Sequence, residues 1–350
     1  MQLLALCEGV DHVCYRYRVA PFASALANEG WQLAPEPLAK GVFSRWRQLR
    51  HSRDADGVLL QRRLLPLWQL SSLRKAARRL VFDFDDAVFH RDSYHRKGVE
   101  SWQRMMRFWA TVYAADLVLA GNQFLFDRAA AFVGPEKVRL VPTCVEPRRY
   151  RPARHQPRER LRLVWIGQRS TVGSLLVMGR QLQAASAACD CELRVVSDVF
   201  PTIDAVRIVP LAWSSAAEAD YLAAADVGIS WLPDDDWSRG KCGLKVLQYM
   251  AAGLPVVANR VGVHQEMIVD GVTGFLADTP SEWAECVRRL AGDLHLRAAM
   301  GAAARRHVER QYSVDRWQTP FAAAIAGLAE RSTANAAEHQ TELARWGRSA

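Results

Sequence analysis

The sequence predicts an α/β protein of two domains, each a parallel sheet wrapped by helices. Strand-length apolar runs alternate with helix-spaced stretches along most of the chain. A proline- and arginine-rich stretch interrupts the alternation once, near the middle. The chain has 350 residues, 50% of them hydrophobic, which is more than the roughly 250 residues that one core usually supports.

The first half opens with a strand over residues 3–7, then a helical pattern over residues 20–28 that stops at Gly30. Residues 57–61 and 80–84 read as further strands, each separated by a stretch with room for a helix. Helical spacing over residues 102–115 is followed by a strand at 117–120, a helix capped by Asn122 and running through Phe132, and a strand at 138–141. Strands that alternate with helices in this way pair in parallel and need cover on both faces.

Residues 142–157 hold Pro142, Pro147, Pro152 and Pro157 among Arg148, Arg149, Arg151 and Arg154, the composition of an exposed connection between domains. A second alternation follows. Strands are expected at residues 161–166, 193–196, 208–210, 227–231 and 273–276, and helices at 175–188, 216–224, 280–291 and 294–310. Between Arg239 and Ala258 lies a glycine-bearing basic loop, a short helix, a turn at Gly253-Leu254 and a buried strand from Pro255. Residues 1–155 and 158–315 are thus the two expected domains, facing a central cleft between the carboxyl edges of both sheets. Residues 332–350 read as a polar, alanine-rich tail.

Seven scattered cysteines without paired C-x-x-C units point to reduced packing thiols, not to disulfides or zinc. No apolar run reaches the roughly 18 residues of a membrane span, and residues 1–7 are too short for a signal peptide, so a cytoplasmic location is expected. The net charge of +9 is concentrated. Eleven cations between Lys40 and Arg79 face only Asp54 and Asp56 and are interleaved with Trp46, Leu49, Leu64, Leu65, Leu67, Trp68, Leu70 and Leu73. Such a mixture suits an anionic bilayer surface, with a plain solvated basic face as the alternative; no nucleic-acid motif accompanies it.

Neither half carries G-x-G-x-x-G or the G-x-x-x-x-G-K-[ST] loop, which argues against hydride transfer and P-loop hydrolysis. The loop before residues 244–251 lies where the first amides of a helix point unpaired donors at an anion, and Lys241 and Lys245 stand beside them with Gly243 and Leu244. That arrangement suits a diphosphate. At the end of the strand over residues 80–84 stand Asp83, Asp85 and Asp86, placed to line a cleft, to hold a metal, or to serve a D-x-D-x-[TV] phosphatase in which Ala87 departs from the motif.

Residues 158–311 resemble the donor-binding half of glycosyltransferase family 4, the group 1 glycosyltransferases of GT-B fold. The matching runs are Leu163-Val164-Trp165-Ile166-Gly167, Ala225-Asp226-Val227-Gly228-Ile229 with Trp231-Leu232-Pro233, Gly243-Leu244-Lys245 through Val257, Gly262 to Glu266, and residues 270–277. A weaker likeness reaches into the first half through Tyr17-Arg18-Val19, residues 82–86 and Ala120-Gly121-Asn122. The resemblance implies a sugar-nucleotide donor in the second domain, an acceptor against the first, metal-independent transfer with retention, and a last helix near residues 316–330 crossing back onto the first domain.

Carried over position by position, the family's two glutamates eight apart are replaced here by Gly240 and Gln248, and Gln248 can still hydrogen-bond a ribose. The basic pair after the first strand of this domain is matched loosely by Arg169, beside Gly167 and Ser170. Glu266 is a donor-side carboxylate by the same comparison. Tyr17, Arg18 and His90 are candidates on the acceptor side, and Asp85, Asp86 and Lys245 for catalysis, with no cofactor and no metal. Two other readings remain open at this stage: an aspartate-dependent magnesium phosphatase, and a non-catalytic subunit that binds sugar nucleotide or lipid.

Overall fold

The computed structural model describes residues 1–328 and divides into two compact units. The first holds Met1–Phe89, Ser101–Pro142 and, among the described residues, 317–328. The second holds His90–Glu100 and Thr143–Arg316. The tail expected over residues 332–350 lies outside the described residues.

Six parallel strands build the sheet of the first unit: β1 (Gln2–Cys7), β2 (Gln32–Pro37), β3 (Gly57–Gln61), β4 (Leu80–Phe84), β5 (Leu117–Ala120) and β6 (Val138–Leu140), in the order β2-β1-β3-β4-β5-β6. Every residue of β3, β4 and β5 is buried, as expected of apolar runs covered on both faces. Sequence periodicity misses β2 because Pro35 and Pro37 interrupt it. The strand forms nonetheless because it sits at the edge of the sheet, where a residue without an N–H leaves no ladder bond unmade on the open side.

The connections from β2 to β3, β3 to β4 and β4 to β5 all advance in one direction across the sheet, so right-handed crossing places their helices on one face. These are Val42–His51, Leu67–Ala76 and Trp102–Ala114. They form a row. Gln69 Nε2 donates to the Val42 carbonyl at 3.2 Å, Trp46 Nε1 to Ser72 Oγ at 3.2 Å, and Arg74 Nη1 to the Ala114 carbonyl at 3.2 Å. The helical pattern expected over residues 20–28 forms a 3-10 turn, Ala20–Phe22, and the helix Ala23–Asn28, and a further helix, Val13–Arg18, precedes them. Phe22, between these two helices, stacks on Phe321 of the helix over residues 314–328 at 4.4 Å.

The second sheet is also wholly parallel: β7 (Leu161–Ile166), β8 (Cys191–Ser197), β9 (Ile208–Ala212), β10 (Val227–Ser230), β11 (Val256–Ala258) and β12 (Gly274–Leu276), in the order β12-β11-β10-β7-β8-β9. Trp165, Leu193, Ile229, Val257 and Trp283 meet in its core. The single helix expected over residues 175–188 is two, Gly173–Val177 and Gly179–Ala188, meeting at Met178.

Residues 143–150 are packed against the second unit and are not the exposed linker their composition suggests, whereas residues 151–157 are mostly exposed. Cys144, Val145 and Tyr150 are buried, Val145 bridges to Ser313, and the Ala153 amide donates to the Ala252 carbonyl at 2.8 Å. Arg305 reaches from the helix Leu294–Gln311 to the carbonyls of Pro147, Tyr150 and Ala251. A guanidinium satisfying three carbonyls holds an irregular, proline-interrupted segment against the unit, and the division between units moves back to residue 142.

The same helix passes over the Gly253 turn so closely that a Cβ on Gly301 would lie 2.1 Å from the Gly253 carbonyl oxygen. Helix propensity favours Gly301→Ala by about 1 kcal/mol, whereas a clash with backbone costs about 1–3 kcal/mol. Gly301→Ala should therefore lower stability, and urea unfolding showing a gain would mean that the two backbones are not in close contact.

Candidate active site

β10 and β7 are neighbours at the centre of the second sheet, so the loops that leave their carboxyl ends emerge side by side. After β10 the chain passes through Asp235, whose side chain caps the short helix Asp236–Arg239 by accepting from the Ser238 amide at 2.8 Å. It then reaches Gly243. This residue has φ of +62°, and a Cβ there would lie 2.6 Å from Met267 Sδ and 3.1 Å from Val263 Cγ2, so only glycine fits. Gly243 opens the helix Leu244–Ala251 with no side chain on its first amides, which leaves them as donors.

The two lysines beside those amides each rest on an indole. Lys245 Nζ lies 4.3 Å from the Trp165 ring centre and Lys241 Nζ 4.4 Å from that of Trp237. No carboxylate pairs with Lys245 among the described residues. Burial, and then the charge of Lys241, push the Lys245 ammonium down to about 7. Behind it His264 is fully buried, its Nδ1 3.0 Å from the Asn259 carbonyl and its Nε2 2.9 Å from Ser230 Oγ. Because a carbonyl only accepts, Nδ1 carries the proton; burial pushes this imidazole down to about 4, so it is neutral beside the lysine.

After β7, a Cβ on Gly167 would come within 2.3 Å of the Trp165 ring, and Gln168 and Thr171 cap each other reciprocally. Ser170 and Arg169 stand exposed on this turn, and the Arg169 guanidinium lies 3.7 Å from Asp198. Glu266 is exposed on the helix His264–Met267.

Two sequence-predicted residues of the second unit are placed differently from expectation. Gln248 does not point outward: it is buried, and its amide donates to Glu218 Oε1 at 2.7 Å and to Tyr150 Oη at 3.3 Å. Glu218 also accepts from Trp213 Nε1 at 2.8 Å. A buried carboxylate needs donors on both oxygens, and Gln248 supplies one; a glutamate at 248 would set two carboxylates against each other. His90, expected on the acceptor side, belongs to the second unit, where its Nε2 lies 3.7 Å from Asp236. The segment that carries it is tied down by Ser93 Oγ, 3.1 Å from both Asp235 Oδ1 and Ser238 Oγ.

In the first unit Arg18 is also unlike its expectation. It is 1% exposed, donating to Asp83 at 2.5 and 3.3 Å and to the Val141 carbonyl at 2.6 Å. Asp83, wholly buried under this guanidinium and under Gln61 Nε2 at 3.3 Å, has no exposed oxygen with which to attack a phosphate ester, which removes the phosphatase arrangement. Tyr17 is buried beside it, with the Arg16 guanidinium 5.6 Å from its ring centre. Asp85 and Asp86 share the guanidinium of Arg62, a residue with φ of +62° that also donates to Cys14 Sγ at 3.0 Å. Burial alone would push Arg62 down; the two carboxylates outweigh it, and the net shift is upward.

Sequence reasoning missed Trp165, Trp237, His264, Glu218 and Arg62. Spacing carries no sign that an indole will lie under an ammonium or that a distant glutamate will meet Gln248.

Two parallel α/β units of this topology, with chemistry-bearing loops at the carboxyl edges, define the GT-B class of glycosyltransferase folds. The solved structure of Anabaena HepE with UDP and glucose matches 93% of this chain and 100% of its own at TM-score 0.67 and 14% identity. Sucrose-phosphate synthase from Thermosynechococcus elongatus matches 96% and 100% at TM-score 0.68 and 16% identity. Residues 154–293, within the second unit, match the family model described as Glycosyl transferases group 1. A D-inositol 3-phosphate glycosyltransferase from Arthrobacter sp. (strain FB24) is 42% identical over 130 residues, 37% of this chain and 30% of that protein. The chain spans only about a third or less of the curated relatives it matches.

Two predictions follow from the buried charges. Arg18→Met should cost about 3–5 kcal/mol in chemical unfolding by stranding the Asp83 carboxylate, and adding Asp83→Asn should restore most of it; a silent Arg18→Met would show that this pair is not internal. Lys245 holds its proton less tightly folded than unfolded, so its charge weakens the fold below about 7 and stability rises as pH climbs toward the ordinary lysine value of 10.5. Lys245→Met should melt higher than the parent near pH 6, with the difference narrowing above pH 8, and equal melting at both would contradict the burial of this ammonium.

Proposed function

We propose that the protein is a retaining glycosyltransferase that moves a sugar from a nucleotide-sugar donor to a glycolipid or polysaccharide acceptor on the cytoplasmic side of the membrane, without cofactor or metal. One observation carries the reading: two ammonium groups on indole faces beside the uncapped amides that Gly243 opens. Retention and metal independence follow the family resemblance. No helix among the described residues is long and apolar enough to cross a membrane.

In this reaction the bond between the anomeric carbon and the phosphate oxygen breaks, and the departing nucleotide diphosphate takes the bonding pair. The acceptor oxygen bonds to the same carbon and gives up its proton. Negative charge therefore gathers on the diphosphate as positive charge grows on the sugar, and fixed cations and amides at the diphosphate lower the barrier. Lys241, Lys245 and the amides of Gly243 and Leu244 take that role, with Arg169, Gly167 and Ser170 on the adjoining turn. A diphosphate beside Lys245 raises its proton affinity, so binding takes up a proton at neutral pH.

Gln248 is consumed by Glu218, so the ribose contact that the resemblance assigns to position 248 is not made by this residue, and Glu266 is the donor-side carboxylate. Asp85 and Asp86, held by Arg62, orient the acceptor hydroxyl, with Tyr17 in the wall behind them. His90 belongs on the donor side.

Calorimetry with UDP-, GDP- and ADP-sugars, with and without magnesium, tests the proposal, followed by transfer assays with any donor that binds. One nucleotide sugar should bind without magnesium, and Lys245→Ala should weaken it about tenfold or more. Binding of none, or unchanged affinity and transfer rate in Lys245→Ala, would overturn the assignment.

A further inference from the structure

Three neighbouring helices of the row on one face of the first sheet share a property of sequence: Val42–His51, Leu67–Ala76 and Trp102–Ala114 contain no carboxylate, and they carry Arg45, Arg47, Arg50, Arg74, Lys75, Arg104 and Arg107. Each helix follows a strand, so their amino-terminal ends lie together toward the carboxyl edge of the sheet. At each of those ends stands an exposed aromatic side chain in the first or second position: Phe43 at 80%, Trp68 at 49% and Trp102 at 78%. Val42 and Leu67 beside them are also exposed.

Adjacent packed helices lie roughly 8–10 Å apart, so the three rings form a line about 20 Å long. Farther along the third helix Trp109 and Tyr113, both exposed, stack at 5.9 Å, and Lys137 sits 5.8 Å from the Tyr113 ring centre.

Of the basic stretch between residues 40 and 79, part is paired: Arg62 is held by Asp85 and Asp86, Arg63 by Glu8, Arg74 by Asp116, and Arg78 by Asp56. Lys40, Arg45, Arg47, Arg50 and Lys75 have no carboxylate partner among the described residues, and all but the half-buried Arg45 are exposed. Aromatic rings that stand out of helices carrying cations and no carboxylate match an anionic lipid headgroup layer over acyl chains. An acidic protein partner would supply the charge but not the acyl layer, and a second copy of this face would set cation against cation.

We propose that this three-helix face is a bilayer-docking surface, with Phe43, Trp68 and Trp102 entering the interface and Lys40, Arg47, Arg50 and Lys75 meeting anionic lipid headgroups. The proposal deepens the transferase reading by naming the surface at which a lipid-linked acceptor is met, but it is tested without transfer.

Sedimentation with vesicles of phosphatidylcholine and phosphatidylglycerol in about equal parts, over a salt series, reads it. The protein should bind these vesicles at low salt and release as salt rises, and should not bind vesicles of phosphatidylcholine alone. The triple variant Phe43→Ser, Trp68→Ser, Trp102→Ser should bind about tenfold less tightly, as should Arg47→Glu with Arg50→Glu, with melting temperatures unchanged because all five side chains are outside the core. No sedimentation of the parent at low salt, or equal binding by the folded triple variant, would overturn the proposal. Concentration-dependent self-association of the parent that the triple variant abolishes, without vesicle binding, would likewise replace it with a self-interface. Nucleotide-sugar calorimetry on the same preparations separates this from the transferase reading: lipid binding without donor binding would sink the transferase and leave the face standing.

Discussion

Every strand in both sheets pairs in parallel, and this one constraint organises the rest. A parallel sheet must be covered on both faces, because its connections are helical crossovers that lie over it. Its strands also run in one direction, so the loops leaving their carboxyl ends are gathered at a single edge. In the second unit that edge holds the turn after Gly167 and the basic loop up to Gly243, from neighbouring strands. In the first it holds Arg62, Asp85 and Asp86. The chemistry is concentrated because the topology leaves it one place to emerge.

Charge is then managed by burial. Arg18 with Asp83, and Glu218 with Gln248, Trp213 and Tyr150, are buried groups whose hydrogen bonds are met inside the protein. They fix the loop ends and offer little to a ligand. Lys245 is the contrast: half-buried, resting on Trp165, next to a second lysine and a neutral imidazole, it has no counter-charge among the described residues. An ammonium kept under such conditions weakens the fold and gains from any anion that reaches it, a recurrent feature of binding sites. The same distinction sorts the arginines of the first unit, where Arg18 and Arg62 are consumed by carboxylates at the sheet edge and Arg47 and Arg50, with no carboxylate partner among the described residues, lie on an outer helix.

Much of this was legible in the sequence. The apolar runs at residues 80–84, 117–120 and 161–166 fall on buried central strands, and the glycine-bearing basic loop stands where it was expected. Elements whose signal was mixed were harder to read. β2 was hidden by its prolines, which an edge strand tolerates, and residues 143–150 looked like a linker because nothing local shows that Arg305, more than 140 residues away, will satisfy their carbonyls.

For the site, residue type was readable and direction was not. Arg18, Gln248 and His90 all carry groups that could face a ligand, yet each is turned by a partner distant in sequence, Asp83, Glu218 and Asp236. The sequence by itself determined the α/β alternation, the glycine at 243 and the lysines around it, because backbone geometry and periodicity are local properties. Tertiary structure alone decided which charges are consumed internally and which remain for a ligand or a surface, because pairing and desolvation depend on what the fold brings within a few ångströms.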